Sequence, residues 1–267
     1  MKSFIKYTMA TVVGIFLTMT LFTIISIISL AGMMATEGMS APIKEKSILR
    51  LDLSGTLAER SESNPFAALM GEENTALSLE DALLALDKAA KNENIIGVYL
   101  EGGAMGANPG MAQELRQALV EFKESGKWVV AYGDSYGKTA YYLSSVADSV
   151  LLNPEGNVDF GGMASQIMFY KDVMEKIGVK MQVFKVGTYK SAVEPFICTE
   201  MSPANREQVT SYLFSIWTNM LKDVAASRNM EVGKLNSLAD SLTMISEASV
   251  ALNVGLVDKL CYMDEVK

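Results

Sequence analysis

The sequence predicts an α/β domain with a mainly parallel sheet, preceded by one N-terminal transmembrane helix. Three observations carry this. Residues 7–36 contain no charged side chain before Glu37. Beyond residue 47, short apolar runs that end in glycine alternate with amphipathic stretches of about 10–15 residues, the pattern of βαβ crossovers. With 267 residues, the chain has room for one domain of ordinary size beside the apolar segment.

The first six residues, MKSFIK, carry Lys2 and Lys6. The run VVGIFLTMTLFTIISIISLAGMM then exceeds the roughly 20 residues that a bilayer core requires. A cleavable signal peptide has a shorter apolar run and a small-x-small site. AGMMA is a weak version of that site, so an uncleaved signal anchor is preferred. Lys2 and Lys6 place the N-terminus in the cytoplasm by the positive-inside rule. Lys44, Lys46 and Arg50 weigh against this, but they lie where the folded domain begins. The expectation is a single-pass protein of the inner (cell) membrane, in contact with lipid, with its domain on the periplasmic or extracytoplasmic side. Residues 1–36 form the cytoplasmic tip and anchor, 37–46 a polar linker, and 47–267 the folded repeat.

Within the repeat, SILRLDLSG (47–55) alternates apolar and polar residues and reads as a strand. Residues 59–76 have no clear period and read as a loop. SLEDALLALDKAAKN (78–92) is an amphipathic helix, with Ser78 and Asp81 as a capping-box-like start. NIIGVYLEGG (94–103) is a buried strand that ends at Gly102 and Gly103. Residues 109–126 are helical, with Gly126 as the stop. KWVVAYG (127–133) is a strand, residues 137–148 a helix, and SVLLNPEG (149–156) a short strand closed by a Pro-Glu-Gly turn. A helix over 166–178 and a strand over 179–187 follow. Ser202 caps a long helix over 202–230, with Pro203 at its first position. Residues 246–260 give a helix, a glycine stop and a final short strand.

Composition excludes several functions. The chain has no histidine, which removes Ser-His-Asp and Cys-His sites and the commonest zinc ligand. Proton transfer must then use Lys, Tyr, Asp or Glu. Two cysteines cannot complete a four-cysteine zinc site, so no metal is expected. Cys198 and Cys261 are read either as a disulfide or as half-buried free thiols. The net charge of −8 leaves no basic excess for nucleic acid. No G-x-G-x-x-G follows the first strand and there is no P-loop, so no cofactor is expected.

One stretch stands out, VFKVGTYKSAVEPF (183–196). Lys190 follows a predicted strand, and the ends of parallel strands are where α/β sheets place their sites. Its neighbours Tyr189, Ala192 and Val193 are uncharged. A lysine can serve as a base near neutral pH only if desolvation lowers its pKa from about 10.4. Glu194 could oppose this by stabilising the ammonium, although Pro195 favours an extended Glu194 whose carboxylate points elsewhere. On the residues alone, an idle loop cation and a general base both remain open.

VFKVGTYKSAVEPF, with MSPANREQ after it, resembles the lysine motif of the signal peptide peptidase A (protease IV) family in its long, two-repeat form. GKWVVAYGDSYGKTAYYLSSVADSVLLNPEGNVDFGG and SLEDALLALDKAAKNENIIGVYLEGG resemble earlier parts of the same repeat, so the likeness runs from about residue 45 onward. The resemblance implies a ClpP/crotonase-like α/β spiral and a membrane-anchored serine endopeptidase that degrades cleaved signal peptides and other hydrophobic peptides. It implies a lysine general base from the first repeat, matched here by Lys190, and a serine nucleophile from the second repeat. The family's Ser-Gly-Gly-Tyr-type helix start aligns with KTAY, where Lys138 takes the serine's place, so no nucleophile is expected in this chain. The implied partners are a second repeat that supplies the serine and further copies in a homo-oligomer. The chain stops at LVDKLCYMDEVK, which reads as a first-half fragment, a truncated product or one partner of a split enzyme.

Ser191 adjoins Lys190, but neighbours in an extended segment face opposite sides. Ser135 and Ser144 lie near the nucleophile's place and read as turn or packing residues. Gly102 and Gly103 read either as a tight turn or as substrate-groove and oxyanion-type backbone donors. Met105, Met111 and Met163 read as core filling or as a peptide groove. A non-catalytic, membrane-anchored scaffold of the same fold is the alternative function. A crotonase-type acyl-CoA enzyme is poorly served by an anchor that takes the domain away from CoA.

Overall fold

A computed structural model of the chain describes residues 2–37, 42–61, 77–241 and 247–266. It divides into two compact units, Met1–Lys44 and Glu45–Lys267.

In the first unit, helix α1 spans Lys2–Glu37. Its stretch Ser3–Ser29 is long and apolar enough to cross a membrane. At 1.5 Å per residue those 27 residues span about 40 Å, against about 30 Å of hydrocarbon. Five threonine hydroxyls of the span are satisfied within the helix. Thr8, Thr11, Thr18, Thr20 and Thr23 each donate to the carbonyl four residues earlier, at 2.8–3.0 Å. Such internal bonding is what a lipid environment demands.

The second unit is α/β. Its elements are β1 (Ser47–Thr56), α2 (Leu79–Lys91), β2 (Ile95–Gly106), α3 (Pro109–Glu124), β3 (Trp128–Gly133), α4 (Lys138–Ser144), β4 (Ser149–Leu152), α5 (Lys171–Lys176), α6 (Glu194–Ile197), α7 (Pro203–Arg228), α8 (Val232–Asp240), α9 (Ala248–Val254) and β5 (Lys259–Leu260). The five strands stand in chain order and every neighbouring pair is parallel. A helix therefore carries the chain one strand further at each of the first three crossovers, so the sheet advances like a staircase. This is the expected α/β spiral with a mainly parallel sheet.

Register fixes the core. Leu51 pairs with Leu100, Leu100 with Ala131, and Ala131 with Val150. These residues share one face with Leu53, Val98, Val129 and Leu152, and all are buried. The opposite face carries Ile48, Arg50, Tyr99, Trp128 and Val130, which line an open hollow of about 420 Å³ with Met263 and Val266. Gly97 admits the Trp128 ring there, since a Cβ would lie 2.2 Å from a ring carbon.

Several expectations need correction. Strand β2 does not end at Gly103 but runs to Gly106. The helix expected over 166–178 shrinks to α5, and the strand expected over 179–187 does not form. That segment is irregular and pairs with no strand among the described residues. The alternation in its sequence favours a strand, but a ladder needs a neighbour. Helix α6 and helix α8 went unforeseen. The loop expected over 59–76 lies mostly outside the described residues, as do linker positions 38–41.

Candidate active site

The segment before Lys190 is solvent-exposed to an unusual degree for apolar residues: Phe184 is 88 % and Val186 89 % exposed. Gly187 then turns the chain at φ +99°, a conformation that favours glycine. Tyr189 donates from its hydroxyl to Glu207 on α7 at 3.2 Å. That bond, with the nearby carboxylate charge, raises the phenol's pKa. Lys190 precedes a short 3₁₀ turn, Ser191–Val193, which runs directly into α6.

Glu194 anchors this turn. It is 2 % exposed and helical (φ −57°, ψ −37°), not extended as Pro195 suggested. Ser202 donates to it from Oγ at 2.6 Å and from its backbone N–H at 3.2 Å, and Asn205 Nδ2 donates at 2.9 Å. Its carboxylate thus faces the N-terminus of α7, where Ser202 is also the cap, and forms no ion pair with Lys190 among the described residues. Burial pushes the Glu194 carboxyl up, but the bonds from Ser202 and Asn205 and the charge of Lys185 outweigh it and hold it below the usual 4.5. Stability from a lowered carboxyl is full above about pH 4.5 and is lost as pH falls through the folded-state value. Glu194→Ala should therefore cost about 1–3 kcal/mol at pH 7. Thermal melts of wild type and Glu194→Gln should differ at pH 7 and converge as pH falls toward 3.

Lys190 itself is exposed. It lines an open hollow of about 560 Å³ with Phe184, Val186, Tyr189, Val193 and Gln208. The buried strand expected to deliver it is absent, so its position rests on the Gly187 turn and the Glu194 anchor. Ser191 opens the 3₁₀ turn and is half-buried, while Ser135 is exposed. Ser144 is 0 % exposed, and its hydroxyl has no hydrogen-bond partner among the described residues, so it is closed off from substrate.

Gly102 and Gly103 sit inside β2, not in a turn. A Cβ at Gly102 would lie 2.3 Å from the Tyr136 ring, so this glycine makes room for a buried aromatic. The Gly103 carbonyl accepts from the Gly137 N–H at 2.9 Å, which ties it to the start of α4. The glycines and the Lys138 helix start are therefore neighbours in space. Lys138 donates from Nζ to the Gly162 carbonyl at 2.6 Å. Of the methionines, Met105 is buried in the core, Met111 packs on its edge, and Met163 does so while also lining a pocket beside Lys138. Both cysteines are free. Cys261 is buried, not half-buried, and burial raises its thiol pKa, so it is not a ready nucleophile.

Comparison with known proteins places this geometry. The chain is 34 % identical over 246 residues to Protease 4 of Salmonella typhi, covering 86 % of this chain and 40 % of that protein. It is 32 % identical to Protease 4 of Haemophilus influenzae, covering 73 % of this chain and 33 % of that protein. It is 23 % identical to a putative signal peptide peptidase SppA of Enterococcus faecium, covering 86 % of this chain and 64 % of that protein. The chain thus spans well under half the length of the two Protease 4 relatives. The model for Peptidase family S49 matches residues 121–267, a stretch that holds α4, the Lys190 turn and all of α7. More than half of the sequence lies in that match, and the chain belongs to peptidase family S49.

Proposed function

We propose that this chain is the lysine-bearing part of a membrane-anchored serine endopeptidase that cuts hydrophobic peptides, cleaved signal peptides among them. Membership of the S49 family carries the reading. Lys190 is the general base. It takes the proton from a serine hydroxyl as the hydroxyl attacks a peptide carbonyl, and returns it to the leaving amine. The serine comes from a second repeat, in the same chain or another.

The exposure of Lys190 supports this division of labour. Desolvation is what makes a lysine a base near neutral pH, and this chain does not supply it. A second surface must close over the hollow. The apolar residues that line it, Phe184, Val186 and Tyr189, are exposed and suited to such cover. The covering surface is the serine-bearing repeat, packed side by side with this one in a larger homo-oligomer.

The chain alone should leave peptides uncut. A purified 1–267 chain should release no product from hydrophobic peptides, and activity should appear when the serine-bearing repeat is supplied. A non-catalytic scaffold is the second reading, favoured by Lys138 at the nucleophile's place. Inactivity that persists in the assembly would favour it.

Helix α1 is the retained anchor, with the domain outside the cytoplasm. Protease added to spheroplasts should digest residues 45–267. A protected domain would reverse the topology, and a mature N-terminus near Ala35 would show cleavage instead.

A further inference from the structure

We infer that the pocket beside Lys138 binds the free carboxyl end of an apolar peptide. The pocket has a volume of about 220 Å³ and lies between the first turn of α3, α4 and the middle of α7. Ala107, Ala112, Tyr142, Met163, Ile216 and Met220 make its walls largely apolar. It goes beyond the role given to Lys190, because a non-catalytic chain would carry the same pocket.

Charge selects the occupant. Among the described residues, Lys138 is the one cation in the lining and no acidic side chain lines the pocket. Its ammonium has three donors and spends one on the Gly162 carbonyl, which leaves two for a ligand. Pro109 and Gly110, at the positive end of the 16-residue helix α3, form part of the wall. Asn108 Oδ1 already accepts from the Gly110 N–H at 3.0 Å, so this helix end adds field more than a donor. An anion is therefore favoured beside Lys138 and an apolar group against the rest of the lining.

Size narrows the choice further. A dry cavity of about 150 Å³ takes up a benzene molecule. At about 220 Å³ this pocket suits one large apolar side chain and is short for a long acyl chain. A carboxylate attached to a single apolar side chain is what the last residue of a peptide presents. An internal peptide segment presents the side chain without the charge.

The test uses the full chain in detergent and two fluorescent probes. Both carry the sequence Ala-Ala-Ala-Ala-Leu, one with a free carboxylate and one amidated, and binding is read by anisotropy. The acid should bind about tenfold or more tighter than the amide, as expected for a charge-assisted bond. Lys138→Met should bring the two within about threefold, Lys138→Arg should keep the preference, and Lys190→Met should leave it unchanged. Equal binding of both probes by the wild type, or binding of neither, would overturn the proposal. So would a preference that survives Lys138→Met. Displacement of the probe by dodecanoate at matching concentrations would mark an acyl-carboxylate site and overturn the peptide assignment.

Discussion

Lys190→Ala should lower kcat of the assembled enzyme by about 10²–10⁴-fold, the range a general base supplies, if Lys190 is the proposed base. The fold should survive. Lys190 is exposed and forms no ion pair among the described residues, and substitutions at such surface positions change stability by about 0.5 kcal/mol or less. Melting temperature should therefore stay put while turnover collapses. Lys190→Arg should be no better than Ala, because a guanidinium does not give up its proton. The wild-type rate should rise with pH through the pKa of the desolvated lysine, since only the neutral amine accepts the serine proton. Retention of most activity by Lys190→Ala would place the base elsewhere and reduce the motif to a turn.

Gly156→Ala should cost about 3 kcal/mol or more, the upper range for forced overpacking. Gly156 closes the turn after β4, where its N–H donates to Asn153 at 2.9 Å. A Cβ there would lie 2.1 Å from the backbone carbonyl oxygen of Asp134. A flexible side chain could swing aside, but a backbone carbonyl cannot move without disturbing the turn after β3. Asn153 also donates to Asp134 Oδ1 at 2.8 Å, so the two turns are locked together. Chemical denaturation of wild type and variant would read the loss directly. A difference under about 1 kcal/mol would show that the two turns separate more easily than their bonds suggest.

The core strands were legible because their signals are local. SILRLDLSG and KWVVAYG carry their own alternation or apolar run, and the caps Ser78 and Ser202 announce their helices. Each of those serines does accept from the backbone N–H three residues on. The segment 179–187 misled for the complementary reason. Its alternation is as good as that of β1, but pairing depends on a neighbour, and the neighbour is not in the sequence window. Glu194 misled through Pro195, whose local preference lost to three hydrogen bonds from Ser202 and Asn205. Helix α8 is hard to read because VGKLNSLAD is short and carries a glycine at its second position, although Leu235 and Ala239 at helical spacing are both buried. Gly102 read as a turn because nothing in the sequence shows that the Tyr136 ring lies against it.

At the site, the motif was legible and its surroundings were not. VGTYKSAVEPF marks Lys190, yet nothing in it tells that Glu194 turns away or that the lysine stands exposed. Both depend on residues outside the motif: Glu194 on Ser202 and Asn205 of the next helix start, and the exposure of Lys190 on the lack of a strand beside 179–187 among the described residues.

The measurement that tests the proposed Lys190 base most directly is labelling of the assembled enzyme with a serine-reactive fluorophosphonate, followed by mapping of the modified serine. One labelled serine outside residues 1–267, a labelling rate that rises with pH, and loss of labelling in Lys190→Ala are expected. Stoichiometric label on Ser135, Ser144 or Ser191, or full labelling in Lys190→Ala, would contradict a Lys190 base acting on a serine from a second repeat.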